Sequence, residues 1–146
     1  MKPEPVAVAL DLALARTRVV REVDADLGSF HGLAFGDFAL LLELERARGG
    51  RMRRVELAAR LGITPSGVAR QLAPLERIGL VDRESHPRDA RLALAVLTEA
   101  GRRTLAEAQA TVAEAAARTL GRLWSAEEQE ALQRLLARVR GPSDTP

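Results

Sequence analysis

Residues 53–101, RRVELAARLGITPSGVARQLAPLERIGLVDRESHPRDARLALAVLTEAG, leave this chain little choice of fold. Leu57, Ala58 and Leu61 fall at i, i+1 and i+4, one apolar stripe on a short helix that Gly62 is suited to end. Thr64 then offers a hydroxyl to unpaired backbone amides, and Pro65 fits the first helical position. Val68, Leu72, Leu75 and Ile78 recur at spacings of four, three and three, so a second helix with one buried face is expected.

After Gly79 the pattern changes to short strands over 80–85 and 91–97, the second with Leu92, Leu94 and Val96 on one side. His86, Pro87, Arg88, Asp89 and Ala90 form a polar connection in which proline and aspartate favour a turn, so the strands close as a hairpin with a cationic tip. Two helices joined by a tight turn and followed by a basic hairpin form a winged helix-turn-helix, a device that presents its second helix to a DNA major groove.

That reading assigns roles to residues. Thr64, Ser66, Gly67, Arg70 and Gln71 occupy the exposed start of the second helix. Arg and Gln can make bidentate contacts to guanine and adenine edges, Ser66 can reach a base or a phosphate, and Gly67 admits close backbone approach. The plainer alternative for Arg70 and Gln71 is a solvated helix face, and their position within the motif favours the first. Arg88 and Arg91 are candidates for the adjacent minor groove, which attracts cations most where it is narrow. Asp89 either orients Arg91 or bonds its own backbone in the turn. Arg53, Arg54 and Arg77 are candidate contacts to the DNA backbone.

The net charge of +2 hides a segregation: residues 46–91 carry 11 arginines and five acids, a local +6, against −4 elsewhere. Phosphate binding requires such a concentration of cations. Three Phe, one Trp and no Tyr in 146 residues leave Leu, Val and Ala to build the interior, which favours helix packing and a mostly α fold. The absence of cysteine excludes disulfides, thiolate metal sites and a redox-sensing thiol. No apolar run is long enough for a membrane span or signal peptide, so a cytoplasmic protein without membrane contact is expected.

The motif is flanked by longer helices. Val6, Leu10, Leu14, Val20, Val23 and Leu27 predict an amphipathic helix over 6–28, ending at Gly28, and Phe38, Leu41, Leu42 and Leu44 predict another over 35–47. From Thr98 the chain is Ala-rich and periodic through Leu105, Ala108, Val112, Ala116 and Leu120. Ser125 and Glu128 then form a capping box that opens a last helix with Leu132, Leu135, Leu136 and Val139. These terminal helices exceed what the motif can cover, so a second copy of the chain, related by two-fold symmetry, is the expected partner. The expected organisation is one domain, with a DNA-binding lobe over 33–98, helical dimerisation segments at 6–28 and 99–140, and a disordered tail over 141–146.

Leu57-Ala58, Leu61-Gly62, Leu75-Glu76, Gly79-Leu80-Val81, Asp89-x-Arg91 and Leu97-Thr98-Glu99-x-Gly101 stand in the order and spacing of the MarR family of bacterial transcriptional regulators, which the chain resembles over most of 6–139. The resemblance implies a homodimeric, ligand-responsive protein that binds double-stranded DNA, usually as a repressor. It also implies that Arg91, supported by Asp89, contacts the minor groove. An effector pocket would lie where the dimer helices meet the DNA-binding lobe, near His31, Phe35, Phe38 and Trp124; core packing is the alternative for the aromatic groups and a surface loop for His31. Two departures stand out. Pro74 interrupts the recognition helix and should bend it, and Arg53 replaces the usual hydroxyl cap of the first motif helix.

Rival functions fare worse. Two distant histidines, no HExxH, no glycine-rich phosphate loop and no nucleophile elbow leave no assembled catalytic constellation, so no enzyme, cofactor or metal site is expected. The other alternative is a winged helix that serves only as a protein-interaction module.

Overall fold

The computed structural model describes residues 1–141, the side chain of residue 90 excepted. The expected disordered tail, apart from Gly141, lies outside the described residues. The elements run α1 (Pro5–His31), α2 (Phe35–Arg46), β1 (Arg51–Arg53), α3 (Arg54–Leu61), α4 (Pro65–Arg77), β2 (Val81–His86), β3 (Asp89–Leu97), α5 (Glu99–Leu120) and α6 (Ala126–Arg140). The mostly helical class with a small β element is the one observed.

The sheet has one strand more than a hairpin. β1 joins the edge of β3 to give the antiparallel order β1-β3-β2, with Met52 opposite Ala95 and Val81 opposite Leu97. Met52 is buried between exposed Arg51 and Arg53, an alternation too short to read from sequence. This pairing also corrects the face of β3. Ala95 and Leu97 share the core with Met52 and Val81, whereas Leu92 is exposed and Leu94, although buried, lies outside the core cluster.

One core unites the molecule from α1 to α5. Leu40, Leu41 and Leu44 of α2 are fully enclosed at its centre, with Val23 and Leu27 of α1, Leu57 of α3, Val68, Leu72 and Leu75 of α4, and Leu105 and Ala108 of α5 around them. Two helix ends differ from expectation. α1 runs through Gly28, because fully buried Leu27 anchors the turn there, and stops at Gly32, whose left-handed φ of 64° closes it with N–H bonds to Gly28 and Leu27 carbonyls. α4 ends before Ile78, which is 62% exposed. Gly79 takes φ 79°, and its N–H and that of Leu80 bond back to the carbonyls of Glu76 and Leu75. Burial thus passes from Leu75 to Leu80, leaving Ile78 outside.

Thr98 ties the sheet to α5. Its hydroxyl donates to the Gly79 carbonyl at 2.7 Å and accepts from the Gly101 N–H at 3.0 Å, capping the helix. Gly101 has to be glycine, because a Cβ there would lie 2.1 Å from the Leu80 carbonyl oxygen. The Thr-Glu-x-Gly motif is thus a joint between hairpin and long helix. Along α5, Ala115 is buried and Val112 packs against the core, while α6 buries none of its residues. Among the described residues no single helix is long and apolar enough to cross a membrane.

Candidate nucleic-acid interface

The turn that aims α4 is built from backbone bonds. Gly62, at φ 67°, donates to the Ala59 carbonyl and Ile63 to that of Ala58, the paired bonds that close a helix on a left-handed residue. Thr64 then caps α4, its Oγ1 accepting the Gly67 N–H at 3.0 Å and lying 3.1 Å from Ser66 Oγ. Fully buried Val68 and Leu72 hold the opposite face of the helix in the core. Ser66 and Arg70 are left exposed on the outer face, and Arg70 makes no ion pair among the described residues. The helix continues through Pro74 to Arg77, the Arg70 carbonyl forgoing the amide that proline lacks.

Gln71 is placed differently from Arg70. Its side-chain amide rests against the start of α2, where a Cβ on Gly36 would come within 2.4 Å of Nε2. Oε1 is buried with no hydrogen-bond partner among the described residues. Of the residues expected at bases, Arg70 faces outward while Gln71 is half-buried against the neighbouring helix. A base contact by Gln71 requires its amide to leave Gly36.

The hairpin connecting β2 and β3 is ordered by its own side chains. The Arg88 N–H donates to His86 Nδ1 at 3.1 Å. Asp89 Oδ1 accepts from both the Arg91 backbone N–H, at 3.0 Å, and Arg91 Nε, at 3.3 Å. The two alternatives for Asp89 therefore coexist: it bonds the turn backbone and holds the guanidinium. The Arg91 side chain remains 92% exposed.

Acids elsewhere in the basic segment engage particular arginines. Arg51 meets Glu84 at 2.8 Å and Arg53 meets Glu56 at 2.8 Å. Glu76 bridges Arg54, at 3.3 Å, and Arg83, at 3.8 Å, so it ties α3 and β2 to α4. Arg54, a candidate backbone contact, is drawn inward: its side chain is half-buried and Nε is enclosed without a hydrogen-bond partner among the described residues. Arg53 is exposed but already paired. Exposed pairs of this kind stabilise little, about 0–1 kcal/mol, so a phosphate could compete for Arg53. Arg77 and Arg88 are exposed and make no ion pair among the described residues.

The four residues considered for an effector pocket do not converge. Phe35 and buried Phe38 meet with ring centroids 6.2 Å apart, as part of the packing of α2. His31 Nε2 lies 2.7 Å from Thr111 Oγ1, joining the end of α1 to α5. Trp124 is half-buried in the turn between α5 and α6, where its carbonyl accepts from Gln129 Nε2 at 3.1 Å. Three residues that shape the interface were not singled out from sequence: Ile63, Gly36 and Glu76. Glu76 was visible within its motif, but the closeness of Gly36 to Gln71 joins elements 35 positions apart and left no local trace.

A family model described as MarR family matches residues 31–92. A search of curated protein sequences finds no match. Among solved structures, a MarR family transcriptional regulator from Streptomyces coelicolor in complex with DNA is 27% identical, with 99% of this chain and 92% of that one covered and a TM-score of 0.84. CouR from Rhodococcus jostii RHA1, bound to p-coumaroyl-CoA, is 26% identical over 95% of each chain, with a TM-score of 0.79. A probable transcriptional regulator from Pseudomonas aeruginosa is 29% identical over 90% of this chain and 96% of that one, with a TM-score of 0.80. The family match across the helix-turn-helix and wing, and the agreement in fold along nearly the whole chain, make this protein similar to the winged helix-turn-helix transcriptional regulators of the MarR family.

Proposed function

We propose that two copies of this chain bind a pseudo-palindromic operator in duplex DNA, α4 of each entering the major groove and each wing reaching the adjacent minor groove. The carrying observation is the contrast among the arginines: Arg70 stands exposed on the core-anchored α4 with no ion pair among the described residues, and Asp89 holds an exposed Arg91 at the wing. Ser66 and Gly67 support Arg70 at the bases and Arg88 joins Arg91 at the wing, while Arg77 and Arg53 contact phosphates. Residues 33–98 serve as the DNA-binding lobe, and 6–28 with 99–140 form the dimer. Two-fold symmetry would set the recognition helices about 34 Å apart, one turn of DNA.

Binding represses transcription, and a small molecule that changes the spacing of the two lobes relieves it, through differential affinity for the two spacings. The relatives bound to DNA and to an acyl-CoA support this reading by similarity. The test is selection of bound fragments from random DNA by the purified protein, followed by the same selection with Arg70→Ala. A paired half-site motif is expected. The substitution should cost about 1–3 kcal/mol and relax base preference at one position of each half-site. An unchanged motif would remove Arg70 from the reading set, and no enriched motif would overturn the proposal.

A further inference from the structure

Ile63 is an isoleucine where a polar recognition surface has no evident use for one. It sits in the turn between α3 and α4, is 40% exposed, and walls a shallow depression with Thr64, Gly67, Arg70 and Gln71. Gly67 keeps that depression open. A Cβ there would stand 3.7 Å from Ile63 Cδ1 and 3.2 Å from Thr64 Oγ1, so even alanine would fill the gap. The result is an open depression with an apolar wall at Ile63 beside an exposed guanidinium.

We propose that Ile63 and the bare backbone of Gly67 receive the 5-methyl group of a thymine next to the base contacted by Arg70, making Ile63 a specificity-determining residue. The inference rests on the reading that α4 enters the major groove. In that groove the thymine methyl is the apolar group that base-pair edges present, and contact with an apolar side chain is how proteins recognise it. The depression is open and shallow, with Thr64, Arg70 and Gln71 among its walls, so it offers no enclosed groove to an apolar protein segment. Its wall carries Arg70 and no acid, and residues 46–91 around it hold a charge of +6, which favours a polyanion as the occupant.

The test uses a duplex bearing the selected operator, in which each thymine is replaced in turn by deoxyuridine. This exchange removes the methyl and preserves every hydrogen-bonding edge. One position per half-site should lose affinity about fourfold, the worth of one buried methyl-sized group. Ile63→Ala and Gly67→Ala should each erase the difference between thymine and deoxyuridine at that position, and Ile63→Val should keep most of it. Thermal unfolding of the variants checks that the fold persists, and binding of the two Ile63 variants to the deoxyuridine duplex checks that the remaining contacts do. Selective binding with no methyl-sensitive position, or with discrimination retained in Ile63→Ala, overturns the inference and leaves the DNA-binding reading intact. Absence of selective binding to any duplex overturns both.

Discussion

α4 and α6 are written in the same local code and end in different circumstances. Each follows a hydroxyl cap, Thr64 or Ser125, and each carries an apolar stripe, over 13 and 15 residues. Yet α4 buries Val68, Leu72 and Leu75, whereas α6 buries none of its residues and leaves Leu135 and Val139 exposed. The first half of α1 repeats the second case, with Val6, Leu10 and Leu14 all more than half exposed. Periodicity therefore identifies a helix and its sticky face, but not what covers that face. For α4 the cover is the same chain. For α6 and the start of α1 a second copy is the proposed cover.

The comparison can be broken in several places. The joint that ties the core-anchored part to α5 should be the most sensitive: Gly101→Ala pushes a methyl into the Leu80 carbonyl, and about 3 kcal/mol of stability should be lost in urea unfolding. A loss below about 1 kcal/mol would mean that α5 shifts freely against the hairpin. Next is the pair Leu135→Asp with Val139→Asp. If α6 lies in a dimer, sedimentation should detect monomers and operator affinity should fall about 100-fold through lost bivalency. Dimers persisting unchanged would make α6 a solvated helix after all.

Arg91→Ala should weaken operator binding by about 1.5–3 kcal/mol, the range for a hydrogen bond to a charged group, and most where the flanking groove is A·T-rich. Equal loss on every flank would argue for a plain phosphate contact. Removing the caps sharpens the contrast further. Thr64→Ala and Ser125→Ala should each cost their helix about 1 kcal/mol. The first should lower global stability at every protein concentration. The second should appear as local amide exchange in α6 at concentrations where the protein is monomeric. Global loss from Ser125→Ala in the monomer would show that α6 is coupled to the core.

The smallest effect is a pH dependence confined to α6. Glu127 has its carboxyl held below the usual carboxylate range by its own backbone amide and by the Ser125 hydroxyl, which donates to it at 2.9 Å. A carboxyl lowered in the folded state contributes stability that is fully present above its unfolded pKa. That contribution is lost as pH falls through the folded value. Amide exchange in the first turn of α6 should accelerate with acidification, and Glu127→Gln should flatten the response.

What sequence determined by itself is what neighbours along the chain can settle. The hydroxyls of Thr64, Thr98 and Ser125, the left-handed glycines at 62 and 79, and the Asp89-x-Arg91 pair all act within a few residues, so their geometry follows from spacing and stereochemistry. Tertiary structure alone decided the contacts between distant residues. It paired Met52 with Ala95, which turned Ala95 and Leu97 of β3 toward the core, and it drew Arg54 onto Glu76 and Gln71 against Gly36. Close packing sets such contacts by the shape of the whole interior, and a one-dimensional pattern carries no record of which surfaces will meet.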